Sequence, residues 1–420
     1  MNILHINNAD VVGGASRAAY RLHLGLNNAG ISSEMLVFQK QTHDPRVHTV
    51  PSRVARVFPR VLSYLDVLPT RLYRNRQQRP GWAPPWGTGW LTHGDTDAAH
   101  HRSDIAHIHW VGSEFFSVSG IERLRRPIVW TLHDMWPFTG GCHYAQGCTR
   151  YQVKCGRCPL LGSNSERDLS RWVWGRKKTH WQEANITIVA PSRWIGDHAR
   201  RSSLFGHRRV EVIPYGLDLT VYRPIDKALA RSLLGLPQGQ RLVLFGTGTD
   251  ATDPRKGFVH LQAAMESLLG TEAENSTALV IIGPATSNLA FSNWRTHYLG
   301  HLHDDLTLVL VYSAVDVLVA PYVEDNLPNM ILESLACSTP CVAFDIGGMP
   351  DMIEHMVNGY LAQPFQPDDL ANGLHWVLED DLRRANLGDN ARRQVESQFA
   401  LVDIVYKHQK LYESLIMAYT

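Results

Sequence analysis

Cysteine is scarce, with six in 420 residues, too few to staple a fold through disulfides. Net charge is nearly missing: Lys and Arg total 41 against 40 Asp and Glu, a formal +1. That excludes a chain that is basic throughout, as many nucleic-acid binders are, and no nucleic-acid partner is expected. No apolar run approaches the roughly 18 residues that span a bilayer. The N-terminus, Met1-Asn2-Ile3-Leu4-His5-Ile6-Asn7, has neither a charged n-region nor a cleavage site; no secretory signal is expected, and the cytoplasm is the expected compartment. Internal repeats and low-complexity tracts are lacking too. What is there is apolar: 44% hydrophobic residues against 19% charged, enough for a large core and against wholesale disorder. At roughly 100–200 residues per domain, two or three domains of a globular enzyme are expected.

The balanced total hides an asymmetry. Residues 1–190 hold 23 Lys/Arg against 13 Asp/Glu, whereas residues 191–420 hold 18 against 27. Two domains of opposite charge are the simplest interpretation. Eight arginines fall in 46–79, among them Arg53, Arg56, Arg60 and Arg71, interleaved with Val54, Val57, Val61 and Leu65 at near-helical spacing. This stretch reads either as a solvated helix pair along one domain edge, the preferred reading, or as an amphipathic surface meeting anionic lipid.

Short apolar runs alternate with helical periodicity, the mark of βαβ units and a parallel sheet. Residues 2–7 read as a strand, followed by a Gly13-Gly14 loop and a helix from Ala15 to Ala29 that stops at Gly30. Further strands are expected at 34–38, 105–109, 128–132 and 186–190. A second series follows at 241–246, 278–282, 316–320 and 341–345. Between them, Val212 to Asp218 is rich in breakers and reads as a hinge. The expectation is two doubly wound α/β domains, 1–215 and 216–400, with a cleft between them facing the carboxyl ends of both sheets. A last helix, 401–420, is expected to pack back on the first domain. Pro80 to Gly94 reads as a loop.

Three motifs carry chemistry. Gly13 and Gly14, between a strand and a helix N-terminus, let backbone approach a ligand, with phosphate the natural guest and a plain tight turn the alternative. Asp253-Pro254-Arg255-Lys256-Gly257 places two cations at a strand-to-helix turn, where the helix dipole disfavours them unless an anion binds. Asp325 and Glu333 bracket a helix start marked by Asn326 and Pro328; there, carboxylates accept hydrogen bonds from ligand hydroxyls.

These motifs occur in one order with Tyr298-Leu299-Gly300, Ser313 to Pro321, Thr339 to Asp345 and Gly347-Gly348-Met349-Pro350-Asp351. The whole resembles the retaining glycosyltransferases of family four, over nearly the full chain and most strongly across 241–362. The resemblance implies a GT-B fold: two Rossmann-like doubly wound domains with an interdomain cleft. It implies that Lys256, with Arg255 beside it, holds a donor pyrophosphate and that Glu333 binds the nucleotide ribose. Asp325 then contacts donor-sugar hydroxyls, with backbone at Gly348, Met349 and Pro350. Gly14 meets the phosphate or the acceptor, and His133 matches the active-site histidine that orients the sugar. The sequence departs at three places. Asp250 and Ala251 stand near an expected arginine, and Asp351 replaces a glutamate. The first acid is Asp325 rather than Glu with Glu324 before it, which leaves both as candidates.

Cys142, Cys148, Cys155 and Cys158 form C-x5-C-x6-C-x2-C. Structural zinc heads the readings, before free or redox-active thiols and, last, disulfides. Cys337 and Cys341 read as small core residues. Asp95-Thr96-Asp97 reads as solvated loop. Trp110, Trp130, Trp136 and Tyr144 either stack on acceptor sugars or pack. The expected function is transfer of a sugar from a nucleotide-diphosphate donor to a glycan or lipid-linked glycan in surface-polysaccharide assembly. Protein cations take the place of a divalent metal, and the mechanism is a front-face one in which the leaving diphosphate helps deprotonate the acceptor. The rivals are a nucleotide-sugar epimerase and a non-catalytic assembly partner.

Overall fold

The computed structural model describes residues 1–49, 73, 94–111, 115–246, 253–270, 276–283, 291 and 293–419. Contacts divide them into two units. One runs up to Gly216 and takes in the chain from Ile404 onward; the other spans Leu217–Asp403.

The first unit is built on a seven-stranded sheet of β1 (Asn2–Ala9), β2 (Ser32–Gln39), β3 (Val47–Thr49), β4 (Ile105–Ile108), β5 (Ile128–Thr131), β6 (Ile186–Ala190) and β7 (Val210–Val212). The order is β3-β2-β1-β4-β5-β6-β7 and every pair is parallel. Ile6 lies opposite Ile108, Ile108 opposite Trp130, and Trp130 opposite Ile188. This register puts one continuous apolar layer on one face, capped by Trp181, Ile195 and Phe205. Full burial of a side chain such as Ile108 stabilises by roughly 1.5–3 kcal/mol. The opposite face is unusual. His5 pairs with His107 across β1 and β4, both completely buried. The helices Gly14–Asn28 and Leu401–Tyr419 supply His23, His408 and Tyr412 to the same layer.

The second unit carries β8 (Arg241–Gly246), β9 (Thr277–Ile282), β10 (Thr296–Gly300), β11 (Val317–Ala320), β12 (Cys341–Phe344) and β13 (Gly359–Ala362), in the order β10-β9-β8-β11-β12-β13 and all parallel. All residues of β9, β11 and β12 are buried, as strands covered on both faces must be. In each sheet the winding reverses between two central strands, β1/β4 and β8/β11. Doubly wound sheets take ligands beyond the carboxyl ends of the strands at such a point.

Both series of strands lie within a few residues of where the apolar runs put them, and the first helix runs Gly14–Asn28 rather than Ala15 to Ala29. Three expectations need correction. Asp95 to Asp97 lie in a helix, Gly94–His100, not a loop. The helix after β11 begins at Asn329 with Pro328 as its cap residue, and Asn326 does not cap it. The short strands β3, β7, β10 and β13 were not anticipated. Of the arginine-rich stretch 46–79, all but Arg46, Val47–Thr49 and Tyr73 lies outside the described residues, as do Pro80 to Gly94's tryptophans, Asp250 and Ala251. Among the described residues no helix is long and apolar enough to cross a membrane.

Candidate functional site

At the switch point of the second unit, Asp253 accepts the Arg255 backbone N–H at 3.0 Å and shapes the turn Pro254–Lys256. Gly257 closes that turn at φ 69° and starts the helix Phe258–Ser267. It lies flat against Pro321, just past β11, where a Cβ would overlap the Pro321 carbonyl oxygen. The Val323 N–H donates to the Arg255 carbonyl at 2.9 Å, and the Gly348 N–H donates to the Asp325 carbonyl at 3.1 Å. Loops from the ends of β8, β11 and β12 are thereby laced together.

Lys256 Nζ is the product of that lacing. It donates to Asp325 Oδ2 at 2.9 Å and sits 4.2 Å from the centre of the Tyr322 ring. Burial pulls the Lys256 ammonium down, but the Asp325 carboxylate outweighs it and the net shift is upward. Burial pushes the Asp325 carboxyl up, and the Lys256 charge and hydrogen bond outweigh that, leaving it below its usual range. The pair is ionised. Arg255 forks back onto Asp253 through Nε and Nη2 at 3.1 and 2.6 Å, and its charge still acts on both Lys256 and Asp325. Glu333 is buried in the helix Asn329–Ala336, with Oε2 accepting from the Tyr312 hydroxyl at 2.8 Å. Glu324 is half-buried; Gly348 and Met349 are buried, and Pro350 lies in the turn Met349–Asp351.

In the first unit, Gly13 takes φ 83° to open the helix Gly14–Asn28. Asn7, at the end of β1, donates to Ser16 Oγ at 3.0 Å and accepts the Trp110 N–H at 2.9 Å. His133, two residues past β5, is buried with both ring nitrogens engaged. Nδ1 meets the Tyr215 hydroxyl at 2.7 Å and Nε2 meets His109 Nδ1 at 3.1 Å. The chain continues from His109 Nε2 to His5 Nδ1 at 2.8 Å. Burial lowers the pKa of His5, His107 and His109 strongly, with neighbouring imidazoles adding to it, and takes His133 and His408 down to about 4. Ring nitrogens of His5, His107 and His109 all lie within 4.8 Å of one another. Both nitrogens of His107 are nevertheless taken, by Tyr412 Oη at 2.6 Å and Thr131 Oγ1 at 2.7 Å, which fits a hydrogen-bonded array better than a metal cradle. Sequence reasoning missed this array, although His107 and His109, two apart on a strand, share a face.

It also missed Asp134 and His143. The buried Asp134 carboxylate accepts from Trp110 Nε1 at 2.9 Å, the Trp136 N–H at 2.8 Å and His143 Nδ1 at 2.6 Å. Burial pushes it up, but His143 and the hydrogen bonds outweigh that, and its pKa falls. Trp110 stacks on the His143 ring with centroids 5.9 Å apart. Of the four aromatic candidates, Trp130, Trp136 and Tyr144 are buried and pack; Trp110 is the half-buried one.

Cys142, Cys148, Cys155 and Cys158 line one cavity with Gly140 and Tyr151. None forms a disulfide. Burial raises the Cys155 thiol to about 12 and the Cys158 thiol to about 11. Among the described residues, no three of these sulfurs share the 4.8 Å closeness of the histidine group, whereas a zinc tetrahedron has S···S edges of about 3.8 Å. Beside them Lys177 is completely buried, donating to the carbonyls of Trp136 and Thr139 with Nζ 3.6 Å from the Trp136 ring centre. Burial takes it down to about 7. Cys337 and Cys341 are core residues of the second unit.

Two doubly wound parallel sheets, each wound outward from a central switch point, define the GT-B class. A solved sucrose-phosphate synthase from Thermosynechococcus elongatus superposes over 100% of both chains with TM-score 0.68 at 20% identity. Anabaena HepE in complex with UDP and glucose covers 99% of this chain and 100% of its own, with TM-score 0.65 at 17% identity. These likenesses show the fold. A family model described as Glycosyltransferase Family 4 matches residues 12–221, half of the chain, and one described as Glycosyl transferases group 1 matches residues 240–380. The chain belongs to glycosyltransferase family 4. Among curated relatives, a D-inositol 3-phosphate glycosyltransferase of Rhodococcus jostii is 30% identical over 202 residues, covering 45% of this chain and 44% of that protein. An uncharacterized glycosyltransferase of Methanocaldococcus jannaschii is 28% identical over 196 residues, 45% and 48% of the two chains. The match therefore spans less than half the length of these relatives.

Proposed function

We propose that the protein transfers a sugar from a nucleoside-diphosphate donor to a hydroxyl of a glycan or lipid-linked glycan, with retention at the anomeric carbon. The observation that carries this reading is the placing of Lys256, an ionised ammonium at the carboxyl ends of β8 and β11, against an acid that can release it. A diphosphate offers Lys256 an anion with more charge than Asp325 has. Asp325, so released, accepts hydrogen bonds from donor-sugar hydroxyls. Glu333 takes the ribose, the backbone of Gly348 to Pro350 and of Gly13-Gly14 meets phosphate or sugar, and His133 orients the sugar. Fixed positive charge at a leaving diphosphate is the kind of electrostatic stabilisation that lowers such barriers most, and it does not call for a divalent metal. A uridine nucleotide heads the donor candidates because Anabaena HepE was solved with UDP-glucose. The arginine-rich stretch 46–79 supports an acceptor met at an anionic membrane surface. Surface-polysaccharide assembly on the cytoplasmic side is the setting this reading favours.

Thermal melts against UDP-, GDP- and ADP-glucose test it. One donor should raise Tm for the wild type and leave Lys256→Ala unmoved. A chain that responds to no nucleotide, or a Lys256→Ala variant that responds fully, would remove the diphosphate assignment.

A further inference from the structure

The stretch that carries four of the six cysteines has almost no regular structure. Before the helix Leu169–Trp181 it forms only the single turns Trp136–Phe138, Arg150–Gln152 and Pro159–Leu161. So long a stretch without helix or strand is uncommon in a compact domain. It closes around its sulfurs instead. Cys142, Cys148, Cys155 and Cys158 line one cavity of about 20 Å³. The turn from Cys155 to Cys158 folds back through Gly156 at φ 134° and Arg157 at φ 44°. A Cβ on Gly156 would overlap the Glu166 carbonyl oxygen. The Cys158 N–H donates to Asp168 Oδ2 at 2.8 Å, which ties this turn to the capping residue of the helix Leu169–Trp181. Cys155 Sγ accepts the Gly140 N–H at 3.1 Å, and the N–H groups of Leu160 and Leu161 reach the Cys158 sulfur. Donors aimed at sulfur favour thiolate over thiol.

Charge points the same way. Lys177 is completely buried, and its ammonium rests on the Trp136 and Thr139 carbonyls and the Trp136 ring rather than on a carboxylate. The acidic groups that act on it are Cys155 and Cys142 first, then Asp134. Arg150 lines the cavity as well. A buried cation calls for a negative partner, which protonated thiols do not supply. Four thiolates on a divalent ion do, carrying two net negative charges.

We propose that Cys142, Cys148, Cys155 and Cys158 form a thiolate-held metal centre that fixes this stretch in place of secondary structure. The chemistry is that of four cysteine sulfurs, shared by zinc and by an iron–sulfur cluster. Zinc needs S···S edges of about 3.8 Å, and no three of the sulfurs lie even within 4.8 Å of one another. It therefore has to draw in Cys142 and Cys148, each preceded by a glycine at positive φ, Gly141 and Gly147. A cluster takes the sulfurs further apart. As each sulfur–metal bond forms, an S–H bond breaks and its proton passes to water. With all four positions taken by sulfur, the centre is structural and leaves no open site for substrate. The low Lys177 pKa belongs to the chain without the metal. The proposal goes beyond the transfer reading and does not rest on it.

The test begins with metal analysis of the full chain, purified under nitrogen without chelator. Zinc at about one per chain, or iron with acid-labile sulfide and visible absorbance, supports the proposal and identifies the guest. Cobalt(II) added to reduced, metal-stripped wild type should give the ultraviolet thiolate charge-transfer band and the strong visible bands of a tetrahedral ion. Nitrogen ligands at His5, His107 and His109 would not give the thiolate band. Stripping should lower Tm by several degrees, and the restored metal should recover it. The paired substitution Cys155→Ser and Cys158→Ser should lose the metal; where that variant does not fold, the cobalt spectrum of the wild type decides. Wild type with no stoichiometric zinc or iron and no cobalt–thiolate band overturns the proposal. So does a paired variant that keeps the wild-type metal content. Fewer than six free thiols in denatured, unreduced protein would mean disulfides and would overturn it too.

Discussion

Gly257 and Pro321 touch so closely that no side chain fits between them. A Cβ on Gly257 would overlap the Pro321 carbonyl oxygen, and its φ of 69° is one that L side chains avoid. The contact joins the turn that carries Lys256 to the loop that carries Asp325.

Gly257→Ala is therefore expected to act on both stability and binding. The strain and the clash together cost about 1–3 kcal/mol, read as a lower midpoint in urea. The displaced turn carries Lys256 with it, so the nucleotide-induced rise in Tm should shrink. Gly235→Ala makes the control, since its φ of 65° is similar but a Cβ there meets nothing within 4 Å. That variant should lose stability and keep the nucleotide response.

Lys256→Ala and Asp325→Asn should separate the two halves of the ion pair. Loss of the ammonium removes a charge-assisted contact to the diphosphate, worth about 1.5–3 kcal/mol, so nucleotide affinity should fall roughly tenfold to a hundredfold. Asp325→Asn leaves Lys256 to the nucleotide. Plain UDP should bind it no worse than it binds the wild type, while turnover of UDP-glucose should fall. Titration calorimetry with UDP, beside a turnover assay, checks both.

The first unit should be acid-sensitive. As pH falls through the ordinary histidine value of about 6.5, the unfolded chain takes up a proton at each of His5, His107, His109, His133 and His408. The folded chain refuses them, because burial holds His133 and His408 down to about 4 and the others well below their usual value. The unfolded state then binds more protons, and stability is lost as pH falls below 6.5, by up to about 1.4 kcal/mol per group per pH unit. Urea midpoints at pH 7, 6 and 5 should drop with increasing steepness. A flat profile would mean that the array is solvated.

Lys177 should leave a mark on the other side of neutrality. Its folded pKa of about 7 lies below the ordinary lysine value, so between pH 7 and 8.5 the unfolded chain holds a proton that the folded chain has shed. Stability should rise with pH across that window, and Lys177→Met should flatten the rise. Equilibrium unfolding at pH 7, 7.75 and 8.5 measures it.

The central strands were legible because each is a short apolar run bounded by breakers, as in Ile128–Thr131 or Thr277–Ile282. The edge strands were not. Thr296–Gly300 has no fully buried residue and so no apolar pattern to read. Lys256 was legible from Pro254 and Gly257 around it. That Arg255 turns to Asp253, two residues away, was not, since spacing does not say which way a side chain folds. The histidine layer left little local trace. His107 finds Tyr412 across 305 positions, and His5 finds His109 across 104; only the sheet brings them together. Asp134 and His143 stood in plain view but were not read as a pair, because the loop that joins them has no periodicity.

The helix Leu401–Tyr419 closes the histidine face of the sheet that begins the chain, after the whole second unit has been threaded through. During synthesis, the face of the sheet that carries His107 therefore stays wet until Leu401–Tyr419 has left the ribosome. The first unit is completed only after the second has been made, and a chain that stops between Gly216 and Ile404 leaves its histidine face uncovered.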